Sequence, residues 1–178
     1  MSTLSETFAT LFGHAPEGVW SAPGRVNLIG EHTDYNGGLA LPIALPHRTH
    51  CAASARDDDL LRIHSLQEDS SVEVRIADVA AGHPGGWTAY VAGVLWSLKD
   101  AGYAVRGLDV VIDGRVPLGA GLSSSAALEC SVAAAASDLF GLGLLQTTEG
   151  RKVLAAACQR AENDIAGAPT GGMDQAAA

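Results

Sequence analysis

The chain is 178 residues long, 47% hydrophobic and 17% charged, with a formal net charge of −9. That length supports one domain with a real core, and the composition argues against a disordered chain. The negative balance argues against bulk attraction to nucleic acid or to an anionic membrane. A phosphorylated ligand stays open, because backbone amides and a metal ion hold phosphate without Lys or Arg.

Residues 4–12 space Leu4, Phe8, Leu11 and Phe12 as a helix that caps the domain. Residues 19–29 read as extended, broken by Pro23-Gly24, and residues 39–45 and 49–54 as two short strands. Residues 60–65 and 72–76 are further strands; Val72, Val74 and Ile76 alternate with Glu73 and Arg75 as on a half-buried strand. After the Pro84-Gly85-Gly86 loop, Trp87, Tyr90, Val91, Val94, Leu95 and Leu98 form one apolar face of a core helix that ends at Asp100-Ala101-Gly102. Residues 108–112 are a strand, 123–140 an Ala-rich helix and 149–165 another helix. Strands first, then helices interleaved with a strand, predict an α+β domain. The chain stops at MDQAAA, where another helix would start, and the expectation is a piece of a longer chain.

Cys51, Cys130 and Cys158 are scattered and odd in number, the pattern of small buried thiols in a reducing cytosol. No apolar run reaches membrane-spanning length, and the opening MSTLSETFATLFG lacks the basic start and apolar block of a signal peptide. A cytoplasmic protein is expected, with no nucleic-acid or membrane partner.

Residues 116–125 read VPLGAGLSSS, between a strand and the Ala-rich helix. Gly119 and Gly121 permit a tight turn and close approach to a ligand. Ser123, Ser124 and Ser125 then fall where unpaired N–H groups and the helix dipole attract anions. This is neither a P-loop, since no Lys follows the glycines, nor GxGxxG. From the residues alone, a phosphate nest and a plain N-cap cluster are equal readings.

Residues 24–38 read GRVNLIGEHTDYNGG and gather Arg25, Glu31, His32 and Asp34 beside glycines. A polar cluster on a turn held by strands suits a binding site, and carboxylates suit a ligand rich in hydroxyls, such as a sugar. The alternative is a solvated loop whose charges pair among themselves. Residues 161–175 read AENDIAGAPTGGMDQ; there Asp174, beyond Gly171-Gly172, is read by itself as a helix N-cap or first-turn residue.

These three segments, in this order, resemble the galactokinase family of the GHMP kinase superfamily, from about Phe8 to the last residue. The resemblance implies the GHMP kinase N-terminal domain, which is ribosomal protein S5 domain 2-like: a mixed β-sheet with packed helices. It implies one galactose- and ATP-binding domain over residues 1–178, with the C-terminal domain absent. Arg25, Glu31, His32, Thr33 and Asp34 would contact the sugar, with Gly171 adding a backbone contact. Gly119, Ala120, Gly121, Leu122, Ser123, Ser124 and Ser125 would surround the ATP phosphates. Ser125 and Glu162 would take Mg²⁺, a hard ion suited to oxygen ligands.

Asp174 would orient the C1 hydroxyl of galactose and accept its proton as the γ-phosphoryl of ATP is transferred, while Arg25 offsets charge in the transition state. The family continues into a second domain that supplies an aromatic residue and another Gly-rich motif, so the chain by itself is expected not to turn over and its partner to be that missing half. Three alternatives stand beside this one, the last of them a truncated, purely structural fragment with no activity. A kinase of a related sugar (N-acetylgalactosamine, arabinose or galacturonate) differs only in specificity. Non-catalytic galactose sensors lack part of the Ser-Ala run, whereas Ser123 to Ala127 is intact here, which favours an enzyme.

Overall fold

The computed structural model describes residues 3–30 and 32–178. Helix α1 (Leu4–Phe12) opens on a capping box, in which Thr3 accepts from the Glu6 amide and Glu6 accepts from the Thr3 amide. Five strands follow: β1 (Gly18–Asn27), β2 (Pro42–Ala55), β3 (Leu60–Ser65), β4 (Ser70–Arg75) and β5 (Leu108–Gly114). Between and after them come helices α2 (Thr88–Asp100), α3 (Ser124–Leu139), α4 (Thr148–Arg160) and α5 (Met173–Ala177). The sheet order is β1-β2-β5-β3-β4, with β3 and β5 parallel and every other pair antiparallel. The expected mixed α+β sheet is therefore present.

Strand β5 shows how the core divides. Leu108, Val110 and Ile112 join the large cluster under α2, α3 and α4, while Val111 points the other way, with Ala52, onto Phe8 of α1. Alternation of side chains along a strand sends neighbours to opposite faces. The result is a sheet between α1 and a layer of three helices. Helix α3 buries Ala126, Ala127, Ala133, Ala135 and Ala136, and these small side chains let its backbone lie close over β1 and β2.

Three local readings are corrected. The two strands expected at 39–45 and 49–54 are one 14-residue strand, β2. It stays continuous through a bulge of its own at the proline: Pro23 pairs with Arg48 and Arg25 with Ala44, so Leu45, Pro46 and His47 of β2 face Gly24 alone. Pro46 has no N–H to offer a ladder, and a bulge is where a strand tolerates that. The break read at Pro23-Gly24 is the point of β1 that faces this bulge. The helix expected over 149–165 is α-helical only to Arg160 and ends in a π-helical turn, Ala161–Ala166. Finally, Ile76 starts a 3₁₀ turn and does not end β4.

Candidate active site

The register shift between Pro23 and Arg25, opposite the bulge of β2, sets Arg25 beside the glycine-rich loop. Its backbone N–H donates to the Leu122 carbonyl at 3.0 Å, which fastens β1 to the glycine-rich loop before α3. Gly24 permits this contact: a Cβ there would stand 2.7 Å from the same carbonyl oxygen. The Arg25 side chain then donates from Nη1 to the Gly121 carbonyl at 2.7 Å. Its Nε and Nη2 reach Asp174 Oδ1 at 2.8 and 2.6 Å. The pair is largely shielded, with side chains 12% and 20% exposed, and two donors on one carboxylate oxygen fix both groups.

The other Asp174 oxygen, Oδ2, accepts from the Ser123 hydroxyl at 2.5 Å. Ser123 occupies the N-cap position of α3 yet makes no side-chain cap, and its φ of +53° lies in the left-handed region that non-glycine residues seldom adopt. The N-cap reading of this serine therefore fails: its hydroxyl serves Asp174. Gly119 and Gly121 are also left-handed, with φ of +69° and +68°. Alternating backbone hands of this kind turn successive N–H groups into one concavity, a nest for an anion. Residues 117–121 are exposed, so that nest opens outward. Beside it lies a cavity of about 100 Å³ lined by Trp87, Leu118, Ser124, Leu128 and Thr49 among others. Trp87 was read only as the start of a core face; it is half-buried at the rim of this cavity.

Below the loop, Glu162 sits in the π turn, 7% exposed. It accepts from Gln175 Nε2 at 2.6 Å and is hydrogen-bonded to the Ser125 hydroxyl. Burial raises the Glu162 pKa, the bonds from Ser125 and Gln175 oppose that rise, and the charge of Asp174 adds to it. A buried carboxylate beside a second carboxylate and a hydroxyl suits a hard cation. Among the described residues no group of three or more His, Cys, Asp or Glu is arranged to hold a metal by itself. A cation here would take Ser125 and Glu162 and fill its shell with phosphate oxygens and water, as Mg²⁺ does.

The turn of residues 32–38 closes on the same corner. Asp34 begins a 3₁₀ turn (Asp34–Asn36) and lies against Gly171, where a Cβ would also stand 2.7 Å from the Tyr35 amide nitrogen. Asn163 holds the 171 loop by accepting from the Thr170 amide at 2.7 Å. Thr33 turns its hydroxyl inward, within 2.6 Å of the Gly30 carbonyl and 2.9 Å of the Leu39 carbonyl, so it closes the turn. His32 is exposed with φ of +60° and pairs Nδ1 with the Tyr35 hydroxyl at 2.6 Å. Glu31 lies outside the described residues. The structure thus brings Arg25, Ser123 and Asp174 into one cluster, with Asp34 and Gly171 beside it and Glu162 and Ser125 behind. Sequence reasoning missed Gln175 and Glu129; a lone carboxylate inside an Ala-rich helix was the available signal for the second.

Another hollow, of about 460 Å³, lies among α3, α4 and α5, walled largely by small apolar side chains together with Arg151 and Lys152. It lacks the converging polar groups that a reaction needs.

Comparison with known proteins completes the assignment. Residues 89–178 match the N-terminal domain of GHMP kinases, which is half the chain. The chain belongs to the GHMP kinase family. Residues 6–55 match the galactokinase galactose-binding signature. A galactokinase of Streptomyces coelicolor is 56% identical over 176 residues, covering 98% of this chain and 44% of that protein. A galactokinase of Streptococcus mutans is 40% identical over 97% of this chain and 44% of its own length. The crystal structure of Lactococcus lactis galactokinase complexed with galactose superposes with a TM-score of 0.82 at 36% identity, over 98% of this chain and 45% of that one. A mevalonate kinase from Methanococcus jannaschii, 17% identical with a TM-score of 0.70, shares the fold. The chain spans about 44% of the length of the galactokinases it matches. No helix among the described residues is long and apolar enough to cross a membrane.

Proposed function

We propose that the chain is the galactose- and nucleotide-phosphate-binding part of a galactokinase that transfers the γ-phosphoryl of ATP to the C1 hydroxyl of galactose. The observation that carries this reading is Asp174, fixed by Arg25 on one oxygen and by Ser123 on the other, at the meeting point of the loop and the 32–38 turn. In the reaction the C1 oxygen of galactose attacks the γ-phosphorus, the bond to the β,γ-bridging oxygen breaks, and ADP leaves. Asp174 orients that hydroxyl and takes its proton; alignment and charge stabilisation supply most of the rate in such a loose transition state. Arg25 spans Asp174 and the Gly121 carbonyl, so its charge stands between base and phosphates. Amides and hydroxyls from Gly119 to Ser125 receive the phosphates, and the cavity beside Trp87 takes part of the base. Ser125 and Glu162 would hold Mg²⁺, which would supply positive charge to offset that of the phosphates.

Asp34, against Gly171, would face the sugar with His32. The relatives' names and the galactose in the Lactococcus structure support galactose over a related sugar. We take the enzyme to be cytoplasmic, where ATP is made and its three free cysteines stay reduced. The second wall of the site would come from whatever corresponds to the rest of the relatives' length. Release of ADP should be followed with a panel of monosaccharides, using protein expressed from its complete coding sequence. Galactose is expected to lead. ADP release with arabinose or N-acetylgalactosamine at a higher kcat/KM than with galactose overturns the substrate.

A further inference from the structure

Glu129 is the least expected residue in the Ala-rich helix α3: it is 0% exposed, yet it is a carboxylic acid. It meets Gln175, whose Nε2 donates to Glu129 Oε2 at 3.1 Å and to Glu162 Oε2 at 2.6 Å. One amide nitrogen thus spends both of its hydrogens on two buried carboxyls from different helical segments. Glu129 Oε1 and Gln175 Oε1 have no hydrogen-bond partner. Burying unpartnered polar oxygens costs stability that a leucine at position 129 would spare, so packing does not account for this acid.

We infer that Glu129 is a positioning residue: through the Gln175 amide it holds the Glu162 carboxylate in the orientation that receives the nucleotide-bound cation. The inference rests on the assignment of Glu162 as cation ligand made above. Glu162 has two side-chain partners, Ser125 and Gln175, and Ser125 is itself a ligand in that assignment. Gln175 is therefore the partner free to orient the carboxylate, and Glu129 anchors Gln175 from behind. Outer partners that orient ligands in this way commonly set metal affinity. Burial, and then the nearby charge of Glu162, push the Glu129 carboxyl up to about 10. Glu129 serves as an acceptor for the Gln175 amide.

The test uses protein from the complete coding sequence and follows the melting temperature with a non-hydrolysable ATP analogue while Mg²⁺ is titrated. Glu162→Ala comes first; if its Mg²⁺ midpoint equals the parent's, the ligand assignment falls and this inference with it. With that control lost as expected, Glu129→Leu and Gln175→Met should each raise the half-saturating Mg²⁺ by about tenfold. Glu129→Gln, which keeps an acceptor for Gln175, should stay within about twofold of the parent. Parent-like midpoints in both Glu129→Leu and Gln175→Met overturn the inference while leaving Glu162 as ligand. A purely structural role would change the melting temperature without ligand and leave the midpoint unmoved, which also overturns it. If Glu129→Leu does not fold, the near-isosteric Gln175→Met decides between the two outcomes.

Discussion

Asp174 spends every strong contact it makes on Arg25 and Ser123, and neither contact caps a helix. That arrangement separates two roles for the carboxylate. Asp174→Asn keeps the shape and a carbonyl oxygen for one partner, but it no longer takes a proton. General-base loss of this kind costs on the order of 10²–10⁴ in kcat, while galactose binding, measured by calorimetry, should persist. An Asn variant with parental kcat would remove Asp174 as the base. Ser123 allows a second separation, because its φ of +53° is one that glycine adopts without strain. If the hydroxyl matters and not the backbone, Ser123→Gly and Ser123→Ala should lose about ten- to hundredfold in kcat alike, the worth of a hydrogen bond to a charged group. A Gly variant that keeps parental turnover would assign the residue to loop geometry instead.

At the scale of elements, the sheet carries an ionic knot far from this corner. Asp109 on β5 is 2% exposed and receives Arg62 from β3 through two bonds of 2.6 Å, with Arg56 at 3.1 Å. Burial opposes ionisation of Asp109, but the hydrogen bonds and charges of Arg62 and Arg56 outweigh it and hold the carboxyl below its usual range. A carboxyl depressed in the folded state adds stability that is present above the unfolded pKa, about 3.9, and disappears as pH falls through the lower folded value. Asp109→Asn should therefore cost about 3 kcal/mol at pH 7, since it strands two arginines. The gap between parent and variant should then close as the pH drops below about 4. Urea titrations at pH 7 and pH 3 check both statements; a gap that widens in acid contradicts the sign. The strands and helices that form this frame were legible because their apolar periods are long: the faces of α2 and β4 follow from spacing alone. The single strand β2 was not, because Pro46 reads locally as a break and only the bulge it sits in, opposite Gly24, reconciles it. The π turn holding Glu162 was equally hidden, since extra residues in a helical turn leave the apolar period almost unchanged.

Across the whole molecule, the site exists because residues far apart in sequence are pressed together without side chains between them. Gly171 touches Asp34 and the Tyr35 amide, joining the 32–38 turn to the loop before α5. This contact could not be read from either segment, since each looks like a flexible glycine turn until the other occupies its space. Only the family resemblance pairs Arg25 with Asp174 in the sequence; the geometry supplies the physical link, by way of the register shift at Gly24. A methyl group in Gly171→Ala would push against a backbone nitrogen, which cannot rotate away as a side chain would. The turn must then shift relative to Asp174, and a displacement near 1 Å costs about 10²-fold in rate when alignment supplies the catalysis. Because the phosphate loop is fastened to β1 through the Leu122 carbonyl and meets the segment after Gly171 at Asp174, through Ser123, the two binding steps should separate. The Ala variant is expected to lose about 10²-fold in kcat/KM for galactose while the nucleotide-dependent rise in melting temperature stays at the parental value. Equal losses for both substrates would mean that the two loops move as one body, and the sugar wall would then have no independent hinge at Gly171.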